Sequence, residues 1–250
     1  MKNIMTLLRN ISYCNSKERF NRICTILSQN NIRYTLISND NQSATNIVVG
    51  DPLAPVTICG HYDIVHGSCG ANDNGSSCAV MLTLILNKAL NDNICFVFLD
   101  REETGMLGSS MHFSAYRPDL TINLDVVGGG DNIVFHTPAS NRGSWWYDQL
   151  AELTKSYGTI PSKIIPCCDT HVIQGAGLDV CTFSAFPASD IKETKRRGYL
   201  CSSAVMAYMH CRRFDDIRYV NPNMLNLMVD MLQEYCKEVS QLEETIDFEI

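Results

Sequence analysis

Residues 94–113, ICFVFLDREETGMLGSSMHF, pass from an apolar β-rich run through an acidic turn into a short helical segment. The same order of signals occurs upstream, where the buried run VTIC at 56–59 precedes the helical run SSCAVMLTLILNKAL at 76–90. Strands that alternate with helices along a chain are typical of a sheet covered by helices on both faces. The pattern therefore predicts an α/β protein built as a three-layer α/β/α domain.

Other apolar runs extend this alternation over the whole chain. The first ~30 residues predict helices, because their apolar residues recur at near-helical spacing. The runs at 32–38 and 45–50 predict two strands paired across a polar turn. Further strands are predicted at 120–127, 133–137 and 179–186, and amphipathic helices at 141–158 and 223–242. No repeat or linker interrupts the chain, so we expect one domain over residues 1–250, with the N-terminal helical segment packed on it.

The composition limits the classes of partner. The chain of 250 residues is 45% hydrophobic, 19% charged and has a net charge of -7 without a basic stripe, so neither nucleic acid nor an anionic membrane is an expected partner. No apolar run reaches membrane-spanning length. Several of the twelve cysteines lie in apolar runs, where reduced thiols behave as small hydrophobes, and the N-terminus lacks the pattern of a signal peptide. These features predict a cytoplasmic protein; the sequence leaves its oligomeric state open.

Acidic residues and histidines follow the apolar runs at the points where strands should end. They are His61, Asp73, Glu102, Glu103, Asp125 and His210. Open α/β sheets place their chemistry at the carboxyl ends of strands. Alone, His61 would suit a capped surface histidine, Asp73 a turn and His210 a core histidine. Together, carboxylates and imidazoles form a ligand set that suits Zn²⁺, and also Mn²⁺ or Co²⁺.

The local spacing assigns different tasks to these residues. Asp63 lies two positions after His61 on an extended segment, so it can hold the second imidazole N–H while the other nitrogen binds metal. Glu102 and Glu103 are adjacent and therefore point in different directions, which allows one to bind metal and the other to face a metal-bound water. A carboxylate at Asp125, after the apolar run LTINL, needs a counter-charge that a metal supplies.

Four segments in this order resemble one known family. GHYD at 60–63, GANDNGSS at 70–77, EETGMLGS at 102–109 and NLDVVG at 123–128 are similar to motifs of the co-catalytic zinc aminopeptidases. That family also includes glutamate carboxypeptidase, the glutaminyl cyclases and the inactive transferrin receptor ectodomain. The resemblance extends from about Val48 to the C-terminus. It implies a mixed, mostly parallel, twisted central sheet between helical layers, and for a chain of this size no lid domain.

The resemblance also implies roles for individual residues. His61 and Asp125 would hold one zinc ion, Glu103 and His210 a second, and Asp73 would bridge the two. Glu102 would be the general base, and Asp63 would be a second catalytic residue that orients His61. The peptide bond between Asp73 and Asn74 would be cis. The implied reaction is hydrolysis by a hydroxide bridging two ions, and the expected substrate is the N-terminal residue of a small peptide.

Three departures from the family pattern leave details open. Phe214 stands where relatives have an Asp four positions after the last His, with Asp215 and Asp216 just after it. Met209 replaces an aromatic residue before His210, and Thr170 separates Asp169 from a His. Two alternatives remain. A glutaminyl cyclase would use a single zinc at Asp73, Glu103 and His210, and a binding module of the same fold would have no catalysis.

Overall fold

The computed structural model describes residues 3–40, 43–198 and 215–241. His210 lies outside the described residues, as do Phe214 and Met209. The strands are β1 Thr35–Ser38, β2 Thr45–Val49, β3 Val56–His61, β4 Ile94–Leu99, β5 Leu120–Leu124, β6 Asn132–His136, β7 Ile160–Ser162 and β8 Val180–Phe186. The helices are α1 Ile4–Ile11, α2 Ser16–Gln29, α3 Ser77–Leu86, α4 Leu107–Ala115, α5 Trp145–Ser156, α6 Thr170–Gly175, α7 Ala188–Arg197 and α8 Pro222–Ser240. A short 3-10 turn, Ile217–Tyr219, precedes α8.

The strands form one eight-stranded sheet in the order β1-β2-β4-β3-β5-β8-β6-β7. The four central strands β4, β3, β5 and β8 are parallel to one another, whereas β2 and β6 pair antiparallel to their central neighbours. The carboxyl ends of the central strands therefore meet at one edge of the sheet. The expected mixed, mostly parallel sheet is confirmed.

Alternating side chains of the central strands reach both faces of the sheet. In β4, Phe96 and Phe98 join the larger core, whereas Val97 and Leu99 join a second cluster on the opposite face. Helices α1, α3 and α8 contact one another, and α4 packs with α6. Helix α3 is buried along almost its whole length. Such burial on every side explains why its sequence is apolar all round rather than amphipathic. The three-layer prediction is confirmed.

The N-terminal helices begin at side-chain caps that the sequence supplies locally. Asn3 accepts a hydrogen bond from the backbone N–H of Met5 at the start of α1. Asn15 and Glu18 form a reciprocal capping box at the start of α2. The prediction of helices over about residues 1–30 is confirmed, and both helices contribute apolar residues to the larger core.

The structure differs from the predictions in the second half of the chain. Helix α7, ASDIKETKRR, was not predicted, because Ala188 and Ile191 are its only apolar residues and do not form an apolar stripe. The three-residue strand β7 was also not predicted. Helix α3 ends at Leu86, four residues earlier than expected, since Lys88 adopts a left-handed φ of 63° that ends the helix.

The ten cysteines in the described part of the chain are all free thiols, and Cys59, Cys78, Cys95 and Cys181 are buried as expected. Among the described helices, none is both long and apolar enough to cross a bilayer.

Candidate metal centre

Three parallel strands and one turn bring six of the seven predicted site residues together. His61 ends β3 and Asp63 follows it, Glu102 and Glu103 lie in the turn after β4, and Asp125 directly follows β5. Asp73 lies in the turn that leads into α3. The seventh residue, His210, is outside the described residues. Each of the six side chains stands at the sheet edge where the central strands end, as the sequence predicts.

His61 is the centre of this cluster. Its Nε2 lies 3.1 Å from Asp73 Oδ1 and 3.8 Å from Asp125 Oδ1, and its Nδ1 lies 3.2 Å from Asp63 Oδ1. The ring is 2% exposed. Although burial favours the neutral ring, the carboxylates of Asp125, Asp63 and Asp73 hold the pKa of His61 well above its ordinary value. Thus a positive charge is favoured at the place where these carboxylates converge.

Asp63 connects two of the strand ends. Its Oδ1 accepts the backbone N–H of Glu102 at 3.0 Å, and its Oδ2 accepts that of Glu103 at 3.1 Å. Burial opposes ionisation, but His61 and the two N–H groups hold the pKa of Asp63 below its ordinary value. Asp63 therefore contacts both the His61 ring and the backbone of the glutamate turn with one carboxylate. The sequence spacing predicted the contact with His61 but not the contacts with the turn.

Asp73 is held beside Asp125 by the asparagines on either side of it. Asn74 donates from Nδ2 to Leu124 O at 2.9 Å and accepts from Val126 N at 3.2 Å. Asn72 Oδ1 accepts from Gly128 N at 2.8 Å. The bond between Asp73 and Asn74 is cis, which confirms the expectation from the resemblance. The turn that carries Asp73 is consequently tied to the end of β5 through side-chain amides.

Two residues next to the site have an unusual backbone conformation. Arg101 before Glu102 has a φ of 61°, and Val126 after Asp125 has a φ of 52°. Residues other than glycine rarely adopt this left-handed region, at a cost of about 1–3 kcal/mol each. Val126 is held by the contact with Asn74 and by donation from Ala185 N to its carbonyl at 3.1 Å. Strained backbone at both strand ends is typical of functional sites.

The glutamate pair is electrostatically crowded. Burial raises the pKa of Glu102, His61 lowers it, and Asp125 and Asp169 raise it further. Burial and the nearby Asp73 raise the pKa of Glu103. Carboxylates in this state keep their protons unless a cation lies among them.

Two acidic residues join the site without a role in the sequence-based assignment. Asp215 is fully buried, and its carboxylate accepts the backbone N–H groups of Asn72 at 2.6 Å and Asp73 at 3.3 Å. Burial raises the pKa of Asp215 to about 6, although Ser68 donates to it at 2.6 Å. Asp169 is 1% exposed at the start of α6, and burial raises its pKa to about 7, while His61 lowers it.

Different signals accompany these two residues. The family spacing places an Asp four positions after His210, where this chain has Phe214; Asp215 comes one position later. Asp169 lies in the segment whose His is displaced by Thr170. His171 is exposed, so in this segment the acid rather than the histidine faces the cluster.

The donor set fits a metal ion of the zinc type. Ligand atoms of His61, Asp73 and Asp125 lie within 4.8 Å of one another, as do those of His61, Glu102 and Glu103. Zinc bonds of 2.0–2.2 Å place two ligands of one tetrahedral ion roughly 3.4 Å apart. The 3.1 and 3.8 Å separations at His61 Nε2 bracket that distance. Small side-chain movements would bring the first three groups around one ion.

A groove of about 950 Å³ borders the cluster on the side of helix α2. Tyr62 and His66 line it from the loop after β3, and Arg101 and Glu103 line it from the turn after β4. Lys17 completes the wall from α2. The groove reaches the candidate site at Glu103, so a molecule lying in it would contact the carboxylate cluster.

Comparison with known sequences points to one family. The sequence profile described as Peptidase family M28 matches residues 46–235. Aminopeptidase YwaD of Bacillus subtilis (strain 168) is 43% identical over 82 residues, which cover 29% of this chain and 18% of that protein. A vacuolar membrane protease of Candida glabrata is 33% identical over 104 residues, covering 36% of this chain and 11% of that protein. The matched segments span less than a fifth of these curated relatives.

Solved structures share the fold. The LapA aminopeptidase of Legionella pneumophila superposes with a TM-score of 0.72 at 18% identity, covering 95% of this chain and 71% of that chain. A glutaminyl cyclase of Porphyromonas gingivalis has a TM-score of 0.66 at 17% identity, over 95% of this chain and 97% of that one. BSAP, a zinc aminopeptidase from Bacillus subtilis, has a TM-score of 0.61 at 21% identity, over 78% and 50%. At such identities these likenesses establish the architecture.

Proposed function

Because this chain belongs to peptidase family M28, we propose that it is a di-zinc metallohydrolase that removes N-terminal residues from small peptides. The observation that carries the proposal is the position of His61, whose Nε2 faces both Asp73 and Asp125 beside the Glu102–Glu103 pair. Three buried donors of the kind that zinc prefers thus converge within ligand distance, and the Glu102 carboxyl group, the proposed base, lies beside them.

In this proposal the ligands divide into two sets. His61, Asp73 and Asp125 would hold one ion, and Glu103 and His210 would hold the second, with Asp73 as a ligand common to both sets. Two divalent ions would exceed the three ligand carboxylates by one positive charge, so they would compensate the negative charge of the acidic cluster. When bound, the ions supply Lewis-acid activation of water and of the scissile carbonyl.

The chain's own residues orient the reactants and move the proton. Glu102 accepts the proton of the attacking water at its carboxylate and returns it to the leaving amine. Asp63 keeps the His61 ring oriented and holds the backbone of both glutamates.

The proposed substrate class is supported by the relatives and by the groove. Aminopeptidases recur among the similar sequences and among the structures with this fold. The groove beside Glu103, about 950 Å³, has room for a short peptide rather than for a folded protein. Lys17 and Arg101 line the same groove as Glu103, so charges of both signs face a bound peptide.

One experiment tests the proposal. Protein purified without chelator is titrated with zinc, its metal content is measured, and amino-acid release from a peptide mixture is followed beside cyclisation of an N-terminal glutamine peptide. Two zinc ions per chain with release of N-terminal residues are expected. One ion with cyclisation would replace the peptidase by a glutaminyl cyclase, and neither metal nor reaction would favour a binding module. Glu102→Gln, which should bind metal without reacting, is the matched control.

A further inference from the structure

Helix α2 contains a fully buried arginine that contacts the candidate site through the backbone. Arg19 is 0% exposed. Its Nε donates to Ile11 O at 2.8 Å, its Nη1 donates to Tyr62 O at 3.3 Å, and its Nη2 donates to Gly70 O. Among the described residues, no carboxylate forms an ion pair with this guanidinium. Three carbonyl dipoles therefore compensate a buried charge whose burial is otherwise costly.

Two of these carbonyls belong to the segments that carry the candidate ligands. Tyr62 lies between His61 and Asp63, and Gly70 opens the turn that leads to Asp73. The carbonyl of Gly70 also accepts the backbone N–H of Gly75 at 3.0 Å, which closes the turn around Asp73. A single planar guanidinium thus holds the segment after β3 and the turn before α3 at a set separation.

The Arg19 guanidinium is packed closely against Gly70. Gly70 has a φ of 59°, and a Cβ at this position would overlap the Arg19 guanidinium. A Cβ at Gly75 would come within 3.3 Å of the same group. The turn therefore wraps closely on the arginine, so a movement of α2 would displace the turn that carries Asp73.

We propose that Arg19 is a positioning residue that sets the separation of His61 and Asp73 and thereby the zinc affinity of the site. The proposal rests on the proposed function, because it requires that these residues bind zinc. Arg19 lies outside residues 46–235, the part that matches the family profile. The N-terminal helix pair thus contributes to the metal centre through hydrogen bonds to backbone rather than through a ligand.

The test compares Arg19→Met with Arg22→Met. Arg22 lies on the same helix and donates to Asn10 O at 2.8 Å and Ser12 O at 3.2 Å, neither of which belongs to a segment that carries a candidate ligand. Zinc affinity is measured by competition with a chromophoric chelator, and the stability of each metal-free protein by urea unfolding at the same temperature. Loss of a direct outer partner of a metal ligand lowers affinity by about 10–100-fold, and loss of contacts to the residues beside the ligands should give the lower end of that range, about 10-fold. We expect that loss for Arg19→Met and unchanged affinity for Arg22→Met.

Two further measurements keep the proposal testable if Arg19→Met does not fold. Arg19→Lys keeps the charge but cannot reach all three carbonyls, so its zinc affinity should lie between those of the wild type and Arg19→Met. In the wild type, the Arg19 Nε–H resonance should shift during a zinc titration while that of Arg22 stays in place. Folded Arg19 variants with wild-type zinc affinity, or an Arg19 resonance that zinc leaves unmoved, would overturn the positioning role. A wild-type chain that binds no zinc would instead overturn the proposed function.

Discussion

Asp215 accepts the backbone N–H of Asn72 at 2.6 Å, although 143 positions of the chain separate the two residues. The same carboxylate accepts from Asp73 N at 3.3 Å and from the Ser68 hydroxyl at 2.6 Å. The turn that carries Asp73 is thus held from one side by Asp215 and from the other by Arg19, through Gly70 O. Neither Asp215 nor Arg19 belongs to the candidate ligands, and both act on the backbone beside one of them.

Asp215→Ala is expected to lower both stability and zinc affinity. Removal of the carboxylate leaves the buried N–H of Asn72 unsatisfied, at a cost of about 1–3 kcal/mol, and also removes the acceptor of the half-buried Ser68 hydroxyl. Urea unfolding measures the first effect and chelator competition the second. Asp216→Ala is the control, because Asp216 accepts from Tyr13 and Arg218 at distances of 2.9 Å and has no contact with the Asp73 turn among the described residues. Equal zinc affinities for the two variants would contradict the assigned role.

Asp63→Asn is expected to weaken zinc binding by about 10–100-fold. The amide has one acceptor oxygen, so it cannot accept from both Glu102 N and Glu103 N while it also faces His61 Nδ1. The nearby Asp100→Asn is the matched control, since Asp100 accepts from Thr45 N and contacts none of these groups in the part of the chain that the structure describes. A wild-type zinc affinity in Asp63→Asn would show that neither contact orients a ligand.

The two adjacent glutamates should respond differently to the same substitution. Glu102→Gln should retain two zinc ions and lose hydrolysis by roughly 10²-fold or more, because it removes a positioned base. Glu103→Gln should lose zinc, since it removes a ligand carboxylate. Metal content and peptide hydrolysis are measured on the same preparations. The reverse outcome, with metal lost from Glu102→Gln, would exchange the two roles.

Acid should destabilise the protein through a buried histidine outside the candidate site. His112 is 0% exposed, and burial lowers its pKa to about 4. Because the folded state favours the neutral ring, the unfolded chain binds more protons between the ordinary pKa of about 6.5 and that lower value. The stability is complete above this window and falls as the pH decreases through it.

Replacement of His112 measures its contribution to the pH dependence of stability. His112→Phe should remove about 1.4 kcal/mol per pH unit from the slope of unfolding free energy against pH within the window. His136, whose pKa burial also lowers to about 4, should account for part of the remaining slope. Urea unfolding with chelator present, at several pH values, measures both slopes. His171 is exposed, so His171→Gln should keep the wild-type slope. An unchanged slope in His112→Phe would show that folding does not lower the pKa of His112.

Local patterns predicted every strand except β7, most helices and the positions of the site residues along the chain. An apolar run followed by a histidine or an acid marks the end of a buried strand, as at His61 and Asp125. Period-two spacing similarly predicted that Asp63 and His61 project to the same side, and their atoms lie 3.2 Å apart. Helix α7 was not predicted, because its polar sequence has no apolar stripe of sufficient length.

The sequence by itself determined which residue types stand at the strand ends, since hydrophobic periodicity and chain order are local properties. Only the tertiary structure decided the strand order and the contacts of Asp215, Asp169 and Arg19 with the site. The contacts of Arg19 and Asp215 are made largely to backbone N–H and C=O groups. Every residue type except proline supplies the same pair of groups, so the partner of such a contact leaves no mark in the sequence. It becomes identifiable when the fold brings distant segments together.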